Sequence, residues 1–390
     1  MLPQRHPLAY KKSMSKPSAI DPQPGPPADA RRKPEGLLRR GWTTGACATA
    51  ATKAALTALI TGHFPDPVTI ALPRGETPAF ALAFENLGDG FAAAGIVKDA
   101  GDDPDVTHGA TVIATLRLLP PASGTRFKAG DGVGVVTKAG LPIGVGEPAI
   151  NPVPRAMMTA EVEALCAEHG LRPDVEISIS IPGGAEIAQN TWNPRLGIVG
   201  GLSVLGTTGI VHPFSCAAWI HSIHRGIDVA RAEGLSHVLG ATGSTSEKAA
   251  QEFHNLPEGA LLDMGDFAGG LLKYLRVHPV ARLTIAGGFA KLTKLAQGAL
   301  DLHSARSQVD LAFLAELVAD DDGTHFVKNL ILSANTALEA LEIAHENGID
   351  LALPIAEKAR LSALDVLRGA AVAVDVIVTD RRGNILAHAV

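Results

Sequence analysis

His237-Val-Leu-Gly-Ala-Thr-Gly-Ser-Thr-Ser-Glu247 runs from a short apolar segment through glycine and hydroxyl residues into a helix-forming stretch. The switch from a buried apolar run to helical spacing marks a strand–turn–helix unit. Ser244-Thr-Ser-Glu247 has the Ser-x-x-Glu spacing of a capping box, so the helix is predicted to open there. The rhythm extends in both directions. A helix from about Ser215 to Glu233 comes before; Leu261 to Asp266, a helix to Leu275, Leu283-Thr-Ile-Ala-Gly-Gly288 and a further helix come after. Alternating strands and helices predict a parallel sheet with helices on its faces. Asp375-Val-Ile-Val-Thr-Asp-Arg-Arg-Gly-Asn-Ile-Leu386 reads as a closing hairpin turned around Arg382-Gly-Asn384. Residues 206–390 are therefore expected to form a Rossmann-like parallel α/β domain ending in a β-hairpin.

The chain upstream has a different texture. Thr43 to Ile60 is an alanine-rich helix with threonine at its N-cap. Pro67 to Leu72, Phe80 to Phe84 and Val112 to Leu118 read as strands, Pro154 to His169 as an amphipathic helix, and Val175-Glu-Ile-Ser-Ile-Ser-Ile181 as an alternating strand. Residues 37–205 are thus expected to be an α+β domain with glycine-rich loops. Residues 1–36 hold eight prolines and seven Lys/Arg without apolar periodicity, and are expected to be a disordered basic extension.

Composition excludes several classes. At 390 residues the chain exceeds one ordinary core. A net charge of −6 offers no field for nucleic acid, and two tyrosines with three tryptophans make no base-stacking platform. Cys47, Cys166 and Cys216 are widely spaced, which argues for a reducing compartment and no disulfide framework. No apolar run is long enough for a signal or a membrane span, so a cytoplasmic protein is expected. There is no Gly-x-Ser-x-Gly elbow and no His-Glu-x-x-His.

Two loops are costly in sequence terms. Lys98-Asp-Ala-Gly-Asp-Asp-Pro-Asp-Val-Thr-His-Gly109 packs four carboxylates into twelve residues, with turn-capping carboxylates favoured over a metal site. Gly130-Asp-Gly-Val-Gly-Val-Val-Thr-Lys-Ala-Gly140 reads as a glycine-studded strand–turn–strand. Gly240 to Glu247 and Gly206-Thr-Thr-Gly-Ile-Val-His212 could each cradle a ligand, the first at a helix N-terminus. Gly265 to Gly270 and Gly287 to Lys291 also follow strands and would share one crevice with it. His212, Cys216, His221 and His224 are a weak transition-metal set, because Cys216 falls off the face shared by the two helical histidines. Cys47 reads as small-residue packing.

These loops, with Gly41-Trp-Thr-Thr-Gly-Ala-Cys47, Gly200 to Phe214, Ala241 to Glu247 and Asp301-Leu-His-Ser304, resemble in order those of the CbiD family of cobalt-precorrin-5B C-1 methyltransferases. The resemblance covers roughly residues 38 to 390. It implies transfer of a methyl group from S-adenosylmethionine to ring carbon C-1 of cobalt-precorrin-5B, giving cobalt-precorrin-6A in cobalamin biosynthesis. Cobalt then belongs to the corrinoid substrate, and the protein is expected to hold no metal of its own. Gly206, Thr208, Gly209, Thr242, Gly243 and Ser244 are the expected donor-binding residues. Lys98, Lys138, Arg155, Arg195 and His303 are expected to meet the acetate and propionate arms of the ring. Asp131, Asp102 and Thr44 are the candidate catalytic residues. No nucleic-acid or membrane partner is implied, and a homo-oligomer is left open. Two other readings stand beside it: a non-catalytic tetrapyrrole carrier, and a nucleotide-dependent phosphoryl-transfer enzyme using the Gly130–Gly140 loop.

Overall fold

In the computed structural model, which describes residues 36–319 and 324–390, Thr43 opens the first helix as its sequence context predicts. Its side chain accepts a hydrogen bond from Ala46 N at 3.2 Å, and α1 (Thr44–Thr61) ends at Gly62 in the left-handed region, φ 82°. The predicted extension lies outside the described residues, except for Gly36. Residues from Leu38 to Val390 form a single compact unit of mixed α/β architecture.

Alanine is the reason α1 can sit inside. Ala46, Ala48, Ala50, Ala51, Ala54 and Ala55 are all fully buried, since a methyl side chain lets neighbouring backbone approach closely. The helix packs on a five-stranded sheet and on α2. In chain order the pieces are β1 (Phe84–Gly88), β2 (Phe91–Val97), β3 (Thr111–Leu118), β4 (Arg126–Ala129), α2 (Pro152–Glu168) and β5 (Val175–Ser180). Their spatial order is β1-β2-β3-β5-β4, antiparallel except where β4 pairs with β5. Val175, Ile177 and Ile179 point into the core, as the alternation predicts. The β1–β2 hairpin is not legible beforehand, because Phe91-Ala-Ala-Ala-Gly95 lacks the β-branched residues that mark strands. The strands expected at Pro67–Leu72 and Phe80–Phe84 shrink to a pair of two-residue segments, Val68–Thr69 with Ala79–Phe80. The expected strand–turn–strand at Gly130–Gly140 is mostly turn, with Val135–Val136 paired to Ile198–Val199 and Val133 in an isolated bridge to Leu202.

Beyond it come α3 (Cys216–Ala232), β6 (His237–Ala241), α4 (Ser244–His254), β7 (Leu261–Asp263), α5 (Ala268–Val277), β8 (Arg282–Gly288) and α6 (Phe289–Ala296). The alternation then breaks. Helices Leu311–Glu316, His325–Leu332, Ala337–Glu346 and α7 (Ala352–Leu367) precede β9 (Ala373–Thr379) and β10 (Ile385–Ala389). The second sheet has the order β7-β6-β8-β9-β10, with β6 to β9 parallel and β10 antiparallel as the hairpin predicts. One face buries a large apolar cluster that includes Ile223, Leu271, Leu283, Ile285, Ile355 and Val376. Each such side chain contributes roughly 1.5–3 kcal/mol when fully buried. No helix of the described residues is long and apolar enough to cross a membrane.

Candidate functional site

At the carboxyl end of the second sheet three loops meet through their backbones. Thr242 N donates to Ala286 O at 2.9 Å and Gly265 N to Ala241 O at 3.0 Å. Lys291 Nζ donates to Thr242 O at 2.8 Å and stands 3.1 Å from Asp266 Oδ1. The Thr242, Gly265 and Gly287 loops, which the sequence expects to share one crevice, are therefore neighbours, with Lys291 tying the Thr242 and Asp266 loops together.

The start of α4 departs from the capping box. Gly243 is the N-cap and Ser244 the first helical residue, and no side chain caps the helix. Ser246 Oγ donates to Gly243 O at 2.9 Å. Glu247 does not turn back on the helix; it grips Arg195, with Oε2 accepting from one guanidinium nitrogen at 2.9 Å and Oε1 from the other at 2.7 Å. A bidentate charge-assisted pair outweighs a single bond to a backbone amide. That hydrogen bonding holds the Arg195 pKa above its ordinary value. The positive end of α4 is left facing outward. Gly243 is extended, with φ 171° and ψ 165°, and a Cβ added there would meet nothing within 4 Å.

What α4 faces is a cleft of about 300 Å³. Asn190, Trp192 and Arg195 line one side, and Ser244, Glu247 and Asp263 the other. Arg195 lies over the Trp192 ring at 5.9 Å. Arg195 and Ser244, expected from sequence for substrate and donor respectively, are thus brought to one cavity. Thr242, two residues before Ser244, is buried. His303 is exposed on an adjoining loop, because Leu302 N donates to Asp266 O at 2.8 Å.

The other candidates lie elsewhere. Gly206, Thr208 and Gly209 form a turn against the start of α1, where Thr43 N donates to Gly209 O and Gly45 N to Leu205 O. A Cβ at Gly206 would lie 2.3 Å from Thr43 Oγ1, so close packing already accounts for that glycine. Thr44 is buried in the first turn of α1. Lys98 is 2% exposed, its ammonium held by Asp105 and Thr107. The other carboxylates of its loop cap backbone amides, as expected: Asp99 takes Gly101 N, Asp102 takes Arg39 N and Asp103 takes Phe214 N. Arg155 donates to Ile150 O at 2.8 Å, Pro148 O at 3.0 Å and Glu147 at 3.1 Å. Lys138 lines a smaller cavity of about 180 Å³ with Glu233 and Leu235. Asp131 is exposed in the turn before Val133.

Glycines of the Gly130–Gly140 loop are occupied by the fold itself. A Cβ at Gly132 would lie 1.9 Å from Ile181 O, and one at Gly140 2.6 Å from Asp228 O. The weak metal set is dispersed: Cys216 contacts Arg306 at 3.8 Å, whereas His224 stacks on Tyr274 at 3.9 Å and bonds Gly270 O. Cys47 is fully buried, and burial pushes its thiol up to about 12. Sequence reasoning passed over Asn190 and Trp192, and took Lys291 only as the end of a glycine-led loop. Trp192 carried the one available signal, as one of only three tryptophans in a chain with few aromatics.

Comparison with known proteins gives concordant matches. The CbiD family model matches residues 31–213, and the model of the CbiD C-terminal domain matches residues 301–390. A cobalt-precorrin-5B C(1)-methyltransferase of Brucella anthropi is 70% identical over 90% of this chain and 95% of its own length. The protein of that name from Brucella canis is 69% identical over 92% of this chain and 98% of its own. A crystal structure of cobalamin biosynthesis protein (cbiD) from Archaeoglobus fulgidus matches 81% of this chain and 86% of its own at 23% identity, with a TM-score of 0.37. With seven residues in ten shared along nearly its whole length with such relatives, this chain belongs to the CbiD family.

Proposed function

We infer that this chain is a cytoplasmic cobalt-precorrin-5B C(1)-methyltransferase of cobalamin biosynthesis, with S-adenosylmethionine as its methyl donor. The observation that carries the reading is 70% identity, over 90% of the chain, to a protein bearing that name. Residues 206–390 are proposed as a Rossmann-like donor-binding domain, and residues 37–205 as its α+β companion.

The residues of the cleft suit such a donor. A zwitterionic amino-acid end needs amide and hydroxyl groups near a helix N-terminus, and α4 offers Ser244 and an open backbone at Gly243. When bound, the donor supplies a sulfonium-activated methyl group, so the protein need not provide a strong nucleophile. Its own work is alignment and exclusion of water. Trp192 forms an apolar wall, and Arg195, held against Glu247, is positioned to exchange that partner for an acid arm of the ring. His303 is proposed as a second contact on the adjoining loop. Asp131 and Asp102, both exposed, are the proposed acceptors for a proton displaced from the ring.

The phosphoryl-transfer reading loses its main support, because backbone of the fold already fills the space beside Gly132 and Gly140. Incubation with methyl-labelled S-adenosylmethionine and cobalt-precorrin-5B tests the proposal, with a mass gain of one methyl group expected on the corrinoid. Tight corrinoid binding without that gain would instead establish a carrier.

A further inference from the structure

The second sheet has unequal faces. Beneath α4 the apolar cluster is small: Leu239, Ala250, Leu261, Ala286 and Ile377. Nearer the amino ends of the strands that face is filled by imidazoles gathered around one carboxylate. Asp375, from β9, is 1% exposed. Its Oδ2 lies 3.0 Å from Nε2 of His254, the last residue of α4, and 3.0 Å from Nε2 of His388 in β10. Its Oδ1 accepts from Arg282 Nε at 2.8 Å and from Thr284 Oγ1 at 2.9 Å. His237, opening β6, places Nε2 2.7 Å from the same Thr284 hydroxyl. Ligand-capable atoms of His237, His254 and Asp375 all lie within 4.8 Å of one another.

We propose that His237, His254 and Asp375, with His388 beside them as a hydrogen-bond partner of the carboxylate, bind a divalent first-row transition-metal ion, separate from the cobalt carried by the corrinoid. Imidazole nitrogen with one carboxylate oxygen is the donor set that zinc and its neighbours prefer. A tautomer shift to Nδ1–H frees each Nε2 lone pair. Arg282 holds Oδ1, and the Thr284 hydroxyl lies 2.9 Å from both carboxylate oxygens, so the two fix the carboxylate as outer hydrogen-bond partners of metal ligands do. The charge added beside Arg282 is tempered by solvent, since that side chain is 38% exposed. An approach exists at His388, whose ring sits edge-on to the exposed Phe253 at 5.0 Å. The ion would pin the end of α4 to β6 and β9, and thereby steady the helix whose other end lines the cleft.

The test uses full-length, tag-free protein dialysed against EDTA. Zinc is titrated calorimetrically, and cobalt(II) is followed by the visible bands of a tetrahedral ion. About one equivalent should bind, with zinc displacing cobalt. His254→Gln and His388→Gln each retain an amide that can donate to Asp375 and should fold, yet the first should lose at least about 100-fold in zinc affinity and the second, an outer partner, about tenfold. The His221→Gln/His224→Gln protein should bind zinc as the wild type does. No zinc uptake by the wild type overturns the proposal, even if neither single variant folds. So does wild-type affinity in folded His254→Gln protein, or its loss in the His221/His224 variant.

Discussion

Lys98→Met decides whether the most deeply buried candidate cation serves the substrate or the fold. Lys98 is 2% exposed, and its ammonium is spent on Asp105 and Thr107. Removing it leaves Asp105 with a charge largely out of water, and breaking a buried pair in this way costs about 3–5 kcal/mol. The Asp105 side chain is 23% exposed, so the lower end applies: about 3 kcal/mol, or roughly 150-fold in the folded-to-unfolded ratio. Urea unfolding should register this as a midpoint lower by about 1 M if the slope is about 3 kcal/mol/M. Lys98→Met/Asp105→Leu should recover most of it, because no buried charge is then orphaned. The pH dependence provides a check of sign. Burial raises the Asp105 pKa, but Lys98 and Thr107 outweigh it, so the folded value lies below the ordinary one. That contribution to stability is complete above the unfolded value of about 3.9 and is lost as pH falls through the folded value. Without Lys98 burial wins, the folded pKa rises, and mild acid should stabilise the variant relative to pH 7. A loss under about 1 kcal/mol, with a higher corrinoid KM, would refute the buried-pair argument and return Lys98 to the substrate.

Gly243→Val should fold normally, since the backbone is extended and open there, yet bind S-adenosylmethionine at least tenfold more weakly by calorimetry, about 1.4 kcal/mol. Unchanged affinity would remove the donor from α4. Glu247→Gln releases Arg195 and should lower the corrinoid KM by roughly fivefold, the 1 kcal/mol such a part-exposed pair is worth, while Arg195→Ala raises it; steady-state kinetics showing both KM values unmoved would exclude the exchange of partners. Arg155→Lys should cost about 1–2 kcal/mol in urea unfolding, because the fork that serves Ile150 O and Pro148 O is lost, and should leave the corrinoid KM at the wild-type value.

Much of the architecture is written in local patterns, and the cleft is not. Val175-Glu-Ile-Ser-Ile-Ser180 announces its strand because alternation repeats every two residues, and Thr43 announces α1 because a cap acts within one turn. The βα order from Ser215 to Gly288 follows in the same way, as does the ordered set of motifs that marks the family. Other features depend on residues far apart in the chain. Ser244-Thr-Ser-Glu247 has a capping-box spacing, yet Glu247 turns to Arg195, 52 positions away, because a paired charge outweighs a local amide. A glycine's spacing gives no sign of what its missing side chain makes room for. At Gly132 that is the Ile181 carbonyl and at Gly243 open space, and only tertiary packing distinguishes them. His237, His254, Asp375 and His388 span 151 positions, and no spacing rule links them. They meet because parallel register sets Thr284 opposite Asp375 and the returning strand brings His388 alongside, so that the folded sheet alone makes one cluster of them.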